Sequence, residues 1–302
     1  MELRVLQYFL AVAREQSISG AAESLHLSQP TLSTQLKAME EELGKQLFIR
    51  GTKGSRKLTL TEEGMILRKR AEEILSLVKK TEQEIVHSDE TIVGDIYIGT
   101  GETDIVRLMA KAAKKIQERY PEIHYHISSG NAEYVLEYLD KGLIDFGLIY
   151  SSVDPLKYES IPIPIKDKWG VLMRRDCPLA QKASVRPEDL WDKPLIVSHQ
   201  KSDNPYILNW MHRELSKLNI VATYNLVFNA SLLVDEGLGY ALTLDKLIHT
   251  EGSSLCFRPL SPTLNAPAFI VWKRYQIFSK AAEKFLQQLQ EIFAELSLDM
   301  KS

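Results

Sequence analysis

Between Lys45 and Lys57 the cations Lys45, Arg50, Lys53, Arg56 and Lys57 follow one another without an acidic residue, in a chain whose formal net charge is −3. Such a local positive patch suits phosphate even on an acidic molecule, because screening makes nearby charge count for more than the molecular average. Just upstream, Pro30, Ser33, Thr34 and Lys37 recur at three- and four-residue steps, which places them on one face of a helix. Glu40, Glu41 and Glu42 lie farther along that helix. Carboxylates repel phosphates, so only its N-terminal part fits a major groove.

No comparable grouping speaks for catalysis. His124 and His126 share a face of a strand without a third ligand nearby in sequence. Cys177 and Cys256, the only cysteines, have neither metal nor redox spacing, and no nucleophile elbow or phosphate loop occurs. The chain is therefore expected to be no enzyme, with no catalytic residues, no cofactor and no metal.

The elements that would position the basic run can be read from periodicity. Leu3, Leu6, Phe9, Leu10 and Ala13 mark one buried helix face, and the Ser17-Ile18-Ser19-Gly20 turn opens a second helix, Gly20 to Leu25. Ser28 before Gln29-Pro30 is a strong helix start, Leu32, Leu36, Met39 and Leu43 form its buried stripe, and Gly44 stops it. Two short helices joined by a tight turn predict a helix-turn-helix. Residues 46–50 and 57–60 alternate as strands around the glycine-rich tip 51–56, so a cationic hairpin, a wing, is expected beside it. From Glu62 to about Ser88 a long helix carries Leu67, Ala71, Ile74, Val78, Thr81 and Ile85 at alternating four- and three-residue steps, the spacing of a coiled-coil seam.

These residues resemble the LysR-type transcriptional regulators. The likeness rests on Phe9 to Ala13, Ser19 to Leu25, Leu27 to Ser33, Leu36, Glu40 to Gly44, Leu47-Phe48 with Arg50, and Leu60 to Gly64, in unbroken order. The resemblance implies base-edge or phosphate contacts from Ser28, Gln29, Pro30, Ser33 and Thr34, and backbone contacts from Arg50 and the wing, with Lys53 and Arg56 at its tip. Thr34 stands where family members very often have arginine, which shifts the contact toward Lys37. The long helix would pair two subunits through residues 62–88, giving a homodimer and, in assembly, a homotetramer. Double-stranded promoter DNA, a small-molecule effector and RNA polymerase are the partners the resemblance implies.

The implied fold is multidomain. An N-terminal all-α winged helix-turn-helix (1–60) and a linker helix (61–88) precede a C-terminal α/β effector-binding domain (89–302) of two-lobed, periplasmic-binding-protein-like form. Strands alternate with helices from residue 94 to 149 and again from about 169 to 243, which argues for a parallel, doubly wound sheet in each lobe. Lobe I is expected at about 91–161 and 267–302, lobe II at about 162–266, with the last helix, about 279–296, packed on lobe I. Ligands in such sheets bind beyond the carboxyl ends of the strands. That rule selects Thr100, Gly101, Glu102, Thr103, Ser128, Ser129 and Tyr150 on one side, and Ser198, His199, Phe228, Asn229 and Thr243 on the other. Glu102 has two readings: a cleft charge that opposes a carboxylate effector, or solvated compensation of a helix dipole.

Length and composition agree with this layout. At 302 residues, 44% hydrophobic and 25% charged, the chain suits two or three folded units and argues against disorder and membrane spanning. Cysteine usage suits a reducing cytoplasm. Residues 6–13 mimic a short signal core, but Glu2 offsets Arg4 and Gln7 interrupts the run, so no leader is expected. A free-standing solute-binding protein would account for residues 94–302 alone and leaves the first ninety unexplained.

Overall fold

The computed structural model describes residues 1–50, 57–86, 92–199 and 205–299. It separates into two compact units, Met1–Val86 and His87–Ser302.

In the first unit, helices α1 (Leu3–Glu15), α2 (Ile18–Ser24) and α3 (Gln29–Leu43) precede the antiparallel strands β1 (Phe48–Arg50) and β2 (Leu58–Leu60), and α4 (Glu62–Val86) follows. The apolar stripes meet in one core containing Leu6, Phe9, Val12, Ala21, Leu32, Leu36, Met39 and Leu47. Hydroxyls of Ser17 and Ser28 accept the free N–H groups at the starts of α2 and α3. Helix α2 accordingly begins at Ile18, earlier than the expected Gly20. Gly44 ends α3 with a left-handed φ of 65°.

Two sequence expectations change here. Glu40 is not part of a solvated acidic end of α3: its carboxylate turns back and accepts the backbone N–H groups of Leu47 (2.7 Å) and Phe48 (3.3 Å), tying the hairpin to the helix. The heptad stripe of α4 is also used differently along its length. Ala71 is buried in the core of its own unit, with Leu67 and Ile74 packed against it. Ile85, farther along the stripe, remains exposed, as do Ile66 and Leu77 on the adjoining face.

The second unit holds β3 (Gly94–Thr100), α5 (Val106–Arg119), β4 (Ile123–Ser129), α6 (Ala132–Asp140), β5 (Phe146–Ile149) and β6 (Tyr158–Arg174). There follow β7 (Leu195–Ser198), α7 (Pro205–Met211), β8 (Ile220–Tyr224), α8 (Val227–Asp235), β9 (Tyr240–Leu244), β10 (Leu255–Pro259), β11 (Asn265–Lys273) and α9 (Lys280–Asp299). Strands β4, β3 and β5 are parallel, as are β8, β7 and β9. The sheets are not wholly parallel as expected, because β11 runs antiparallel to β5 and β6, and β6 antiparallel to β9 and β10.

The 17-residue β6 and its partner β11 are the crossovers. Ile163 and Ala268 lie in the first lobe's core with α5 and α9, whereas Trp169 and Ala266 lie in the second's. The expected boundary at 162 therefore moves a few residues along β6. Helix α9 packs on α5 and buries Phe285 and Leu289 in the first lobe.

Gly64 supplies the tightest test of the first unit. A Cβ there would lie 2.2 Å from the Leu47 carbonyl oxygen, a backbone atom that cannot swing aside. Gly64→Ala is expected to destabilise the chain by about 1–3 kcal/mol, the usual range for overpacking. Urea unfolding followed by circular dichroism measures it, and a midpoint unchanged from that of the unsubstituted protein would refute the account.

Candidate functional site

The groove-facing candidates lie on α3 of the first unit. Ser28, Gln29, Pro30, Thr34 and Lys37 are exposed and Ser33 is half-buried, while Leu32 and Leu36 hold the opposite side of the helix in the core. The Ser28 hydroxyl accepts the Thr31 N–H (3.3 Å) and lies 2.7 Å from the Thr31 hydroxyl, so it is engaged in starting the helix. The Ser19 hydroxyl donates to Gln29 Oε1 (3.3 Å), an orienting contact between α2 and α3 that sequence reasoning missed. Lys37 pairs with Glu41 at 3.6 Å, one turn along. Arg50 closes β1, whereas Lys53 and Arg56 lie outside the described residues.

The effector candidates lie in the second unit, where four hydroxyl residues from both lobes are buried: Thr100, Thr103, Ser198 and Thr243. They sit at or just beyond the ends of β3, β7 and β9. Ser128 and Tyr150 are half-buried, as are Gly101 and Glu102. Ser129, which stands opposite Thr100 in the β3–β4 register, is exposed, as are His199, Phe228 and Asn229.

The three residues after Gly101 reach across the molecule one after another. Glu102 Oε2 accepts the backbone N–H of Val227 (2.5 Å), the first residue of α8 in the other lobe. The Thr103 hydroxyl donates to Asp167 on β6 (2.5 Å) while accepting the N–H of Ile105 (3.0 Å). Asp104 faces Lys246, which follows β9, at 4.0 Å. Glu102 thus compensates the dipole of a helix in the opposite lobe and not that of the helix it precedes.

Asp167 is the hub that sequence reasoning missed. Its buried carboxylate oxygen receives the hydroxyls of both Thr103 and Tyr150. The one available signal was an acidic residue inside the strand-like run Tyr158–Arg174, beside the apolar Trp169 to Met173. Burial, reinforced by the facing Asp167 charge, pushes the Tyr150 phenol far above its ordinary range. Tyr224, whose hydroxyl donates to the Leu242 carbonyl, is raised to about 12, chiefly by burial and also by the charge of Glu102.

Of the two histidines, His126 has a structural employment. His126 lies 2.6 Å from Asp95 and stacks on Tyr97. Among the described residues, no group of three His, Cys, Asp or Glu side chains is placed to hold a metal ion, and no helix is long and apolar enough to cross a membrane.

A winged helix-turn-helix followed by a two-lobed α/β module defines a DNA-binding transcriptional regulator with a substrate-binding domain. Residues 3–65 match the bacterial regulatory helix-turn-helix protein, lysR family, and residues 90–294 the LysR substrate binding domain. The chain belongs to the LysR family, whose members are regulators and not enzymes. Similar proteins include the HTH-type transcriptional regulator BsdA of Bacillus subtilis, 28% identical over 95% of this chain and 99% of its own length. The Hca operon transcriptional activator HcaR of Escherichia coli is 28% identical over 98% of this chain and all of its own. The crystal structure of the LysR regulator CbnR superposes with a TM-score of 0.77 at 18% identity, covering 97% of this chain and 99% of that one, and so shares the fold. CbnR has also been solved with its target DNA, and that chain gives a TM-score of 0.78.

Two outcomes follow from the buried groups. Asp167→Ala removes the acceptor of two hydroxyls, and unsatisfied buried donors cost about 1–3 kcal/mol; thermal unfolding should show the loss, and wild-type stability would contradict the hub. Burial pushes the phenols of Tyr125, Tyr158 and Tyr224 up to about 12, above the ordinary tyrosine value of about 10. Their folded pKa is raised, so the stability they contribute is present in full below pH 10 and lost as pH rises from 10 through 12. Tyrosinate absorbance during alkaline titration should therefore lag behind that of the unfolded chain, and coincident curves would contradict the burial argument.

Proposed function

We propose that this regulator reads double-stranded promoter DNA through the N-terminal half of α3. Ser33, Thr34 and Gln29 meet base edges, Pro30 packs at the groove wall, and Ser28 acts through its cap on the helix. Lys37, Arg50, Lys53 and Arg56 neutralise phosphates. The active species is a homodimer joined through residues 62–88 and assembled into a homotetramer in the cytoplasm. The exposed Ile66, Leu77 and Ile85 on α4 support that pairing, since large apolar side chains on a solvated helix favour a partner. Dimerisation sets two recognition helices on half-sites about one helical turn apart, or a multiple of it.

The second half of the proposal is that a small-molecule effector binds between the lobes and sets the action on RNA polymerase. The observation that carries it is that four hydroxyl residues, Thr100 and Thr103 from one lobe and Ser198 and Thr243 from the other, are buried at or just beyond the ends of β3, β7 and β9. Thr100 and Thr103 already donate, to the Gly101 carbonyl and to Asp167, but a hydroxyl that donates keeps acceptor capacity, and a few fixed polar groups at strand ends are what orients a polar ligand. Binding there changes the fit of one lobe on the other, alters the packing of subunits and the bend of DNA, and so switches recruitment of the polymerase. By linkage, DNA and effector change each other's affinity by the same factor.

Fluorescence anisotropy against the upstream intergenic DNA, at two salt concentrations, tests the DNA half. Each of Gln29→Ala and Ser33→Ala is expected to weaken specific binding by about 1–3 kcal/mol, while Lys37→Ala weakens all sequences alike and lowers the salt slope by about 1. Weak binding that is wholly salt-sensitive and indifferent to all three substitutions would overturn this assignment.

A further inference from the structure

Helix α8 begins without a cap of its own. The residue preceding it is Leu226, whose side chain has no acceptor, so the N–H of Val227 would be unsatisfied locally. The acceptor comes from 125 positions earlier in the chain, as the carboxylate of Glu102. A carboxylate at a helix N-terminus is where the unpaired N–H groups and the positive end of the helix dipole favour an anion most.

We infer that Glu102 is a resident carboxylate occupying the seat that an anionic ligand group would take at α8, and that it makes the crevice select against carboxylate effectors. The inference deepens the effector reading and rests on the crevice being the ligand site. Three observations support it. The hydrogen bond to Val227 crosses from one lobe to the other. The neighbouring Thr103 and Asp104 also reach out of their lobe, to Asp167 on the crossover strand and to Lys246, which fixes the loop in this register. The negative charge of Glu102 is felt on the far wall, where it contributes to raising Tyr224.

The chemical consequence is directional. A ligand carboxylate aimed at α8 meets a seat already filled and a like charge within hydrogen-bond reach of it. A ligand that offers an amine or a neutral N–H or O–H group meets an acceptor in place. The crevice therefore takes effectors that present a donor toward Glu102, and an anion enters only where Glu102 leaves.

Chemical rescue in the full-length protein tests this without either DNA or effector. Glu102 is half-buried at a loop, so its replacement leaves both cores intact. Glu102→Ala is expected to lower the Tm by about 2–4 °C, the scale of one lost cap in a domain of this size. Sodium acetate should restore most of that loss, whereas sodium chloride at equal ionic strength should not. Wild type should respond equally to the two salts, and so should Glu102→Gln, whose neutral amide still fills the seat. Acetate stabilising wild type as much as Glu102→Ala would show an open seat and overturn the inference. So would a Glu102→Ala protein that keeps the wild-type Tm, or one that acetate does not restore. Failure of the effector reading is separable: there, substitutions of Thr100 or Thr243 would leave ligand-dependent DNA binding unchanged while the acetate result stood.

Discussion

The pairing of β6 with β11 is the constraint on which the second unit depends. Its register runs from Lys273 opposite Tyr158 to Asn265 opposite Lys168, broken by a shift between Pro267 and Phe269. One end of this ladder lies in the sheet of β3, β4 and β5, and the continuation of β6 pairs with β9 and β10 in the other sheet. Both lobes thus share one backbone ladder, and any residue on it near the exchange point faces both. Asp167 occupies that point. Its neighbours along the strand are Lys166 and Lys168, but its own side chain is buried and receives hydroxyls from Thr103 and Tyr150. A ladder fixed by backbone hydrogen bonds can hold a carboxylate in place where a loop would let it retreat to water.

The same economy of acceptors recurs in the first unit. Glu40, on a helix whose exposed end is acidic, satisfies two backbone N–H groups of the following chain. Thr61 donates to the Gln46 carbonyl and accepts the Gly64 N–H, so the hairpin, the start of α4 and the end of α3 meet around a few short polar contacts. Gly64 allows Leu47 to approach closely enough for this. These contacts hold β1, β2 and α4 to α3, while Gln29, Pro30, Thr34 and Lys37 stay exposed on α3.

How much of this was legible in the sequence depended on whether the determining interaction was local. The caps at Ser17 and Ser28, the proline in the first turn of α3 and the glycine at its end act within a few residues, and each element of the first unit could be read from them. The start of α8 could not. Val221, Thr223 and Val227 are β-branched, so the stretch 221–227 reads as strand; in the structure β8 stops at Tyr224 and α8 begins at Val227. The cap that permits that start is Glu102, which no local window contains. The first part of β6 is illegible for a different reason: prolines cannot donate to a ladder, yet Pro162 stands opposite Phe269 and Pro164 falls at the register shift between Pro267 and Phe269. In α4 the heptad spacing was correctly periodic, but periodicity cannot distinguish a seam for a partner from a stripe that packs on the chain's own core, and Leu67, Ala71 and Ile74 do the latter.

The character of the interlobe contacts bounds what an effector must achieve. The Asp104 and Lys246 pair is long and its lysine is exposed, and such pairs contribute little in water. The cap at α8 contributes about 1 kcal/mol by the usual measure of an N-terminal cap. The crossover ladder and the Asp167 cluster are far more costly to break, because they bury their donors and acceptors. Rearrangement of the lobes is therefore expected to proceed about the ladder, by release and remaking of the Glu102 and Asp104 contacts. A ligand shifts such an equilibrium only through its differential affinity for the two arrangements. Against contacts of this size, a preference of about 10- to 100-fold, or roughly 1.4–2.7 kcal/mol, is enough to decide the population. The two weak interlobe contacts, on either side of a Thr103 anchored to the strongly held strand, are thus the ones a modest ligand can exchange without unfolding either lobe.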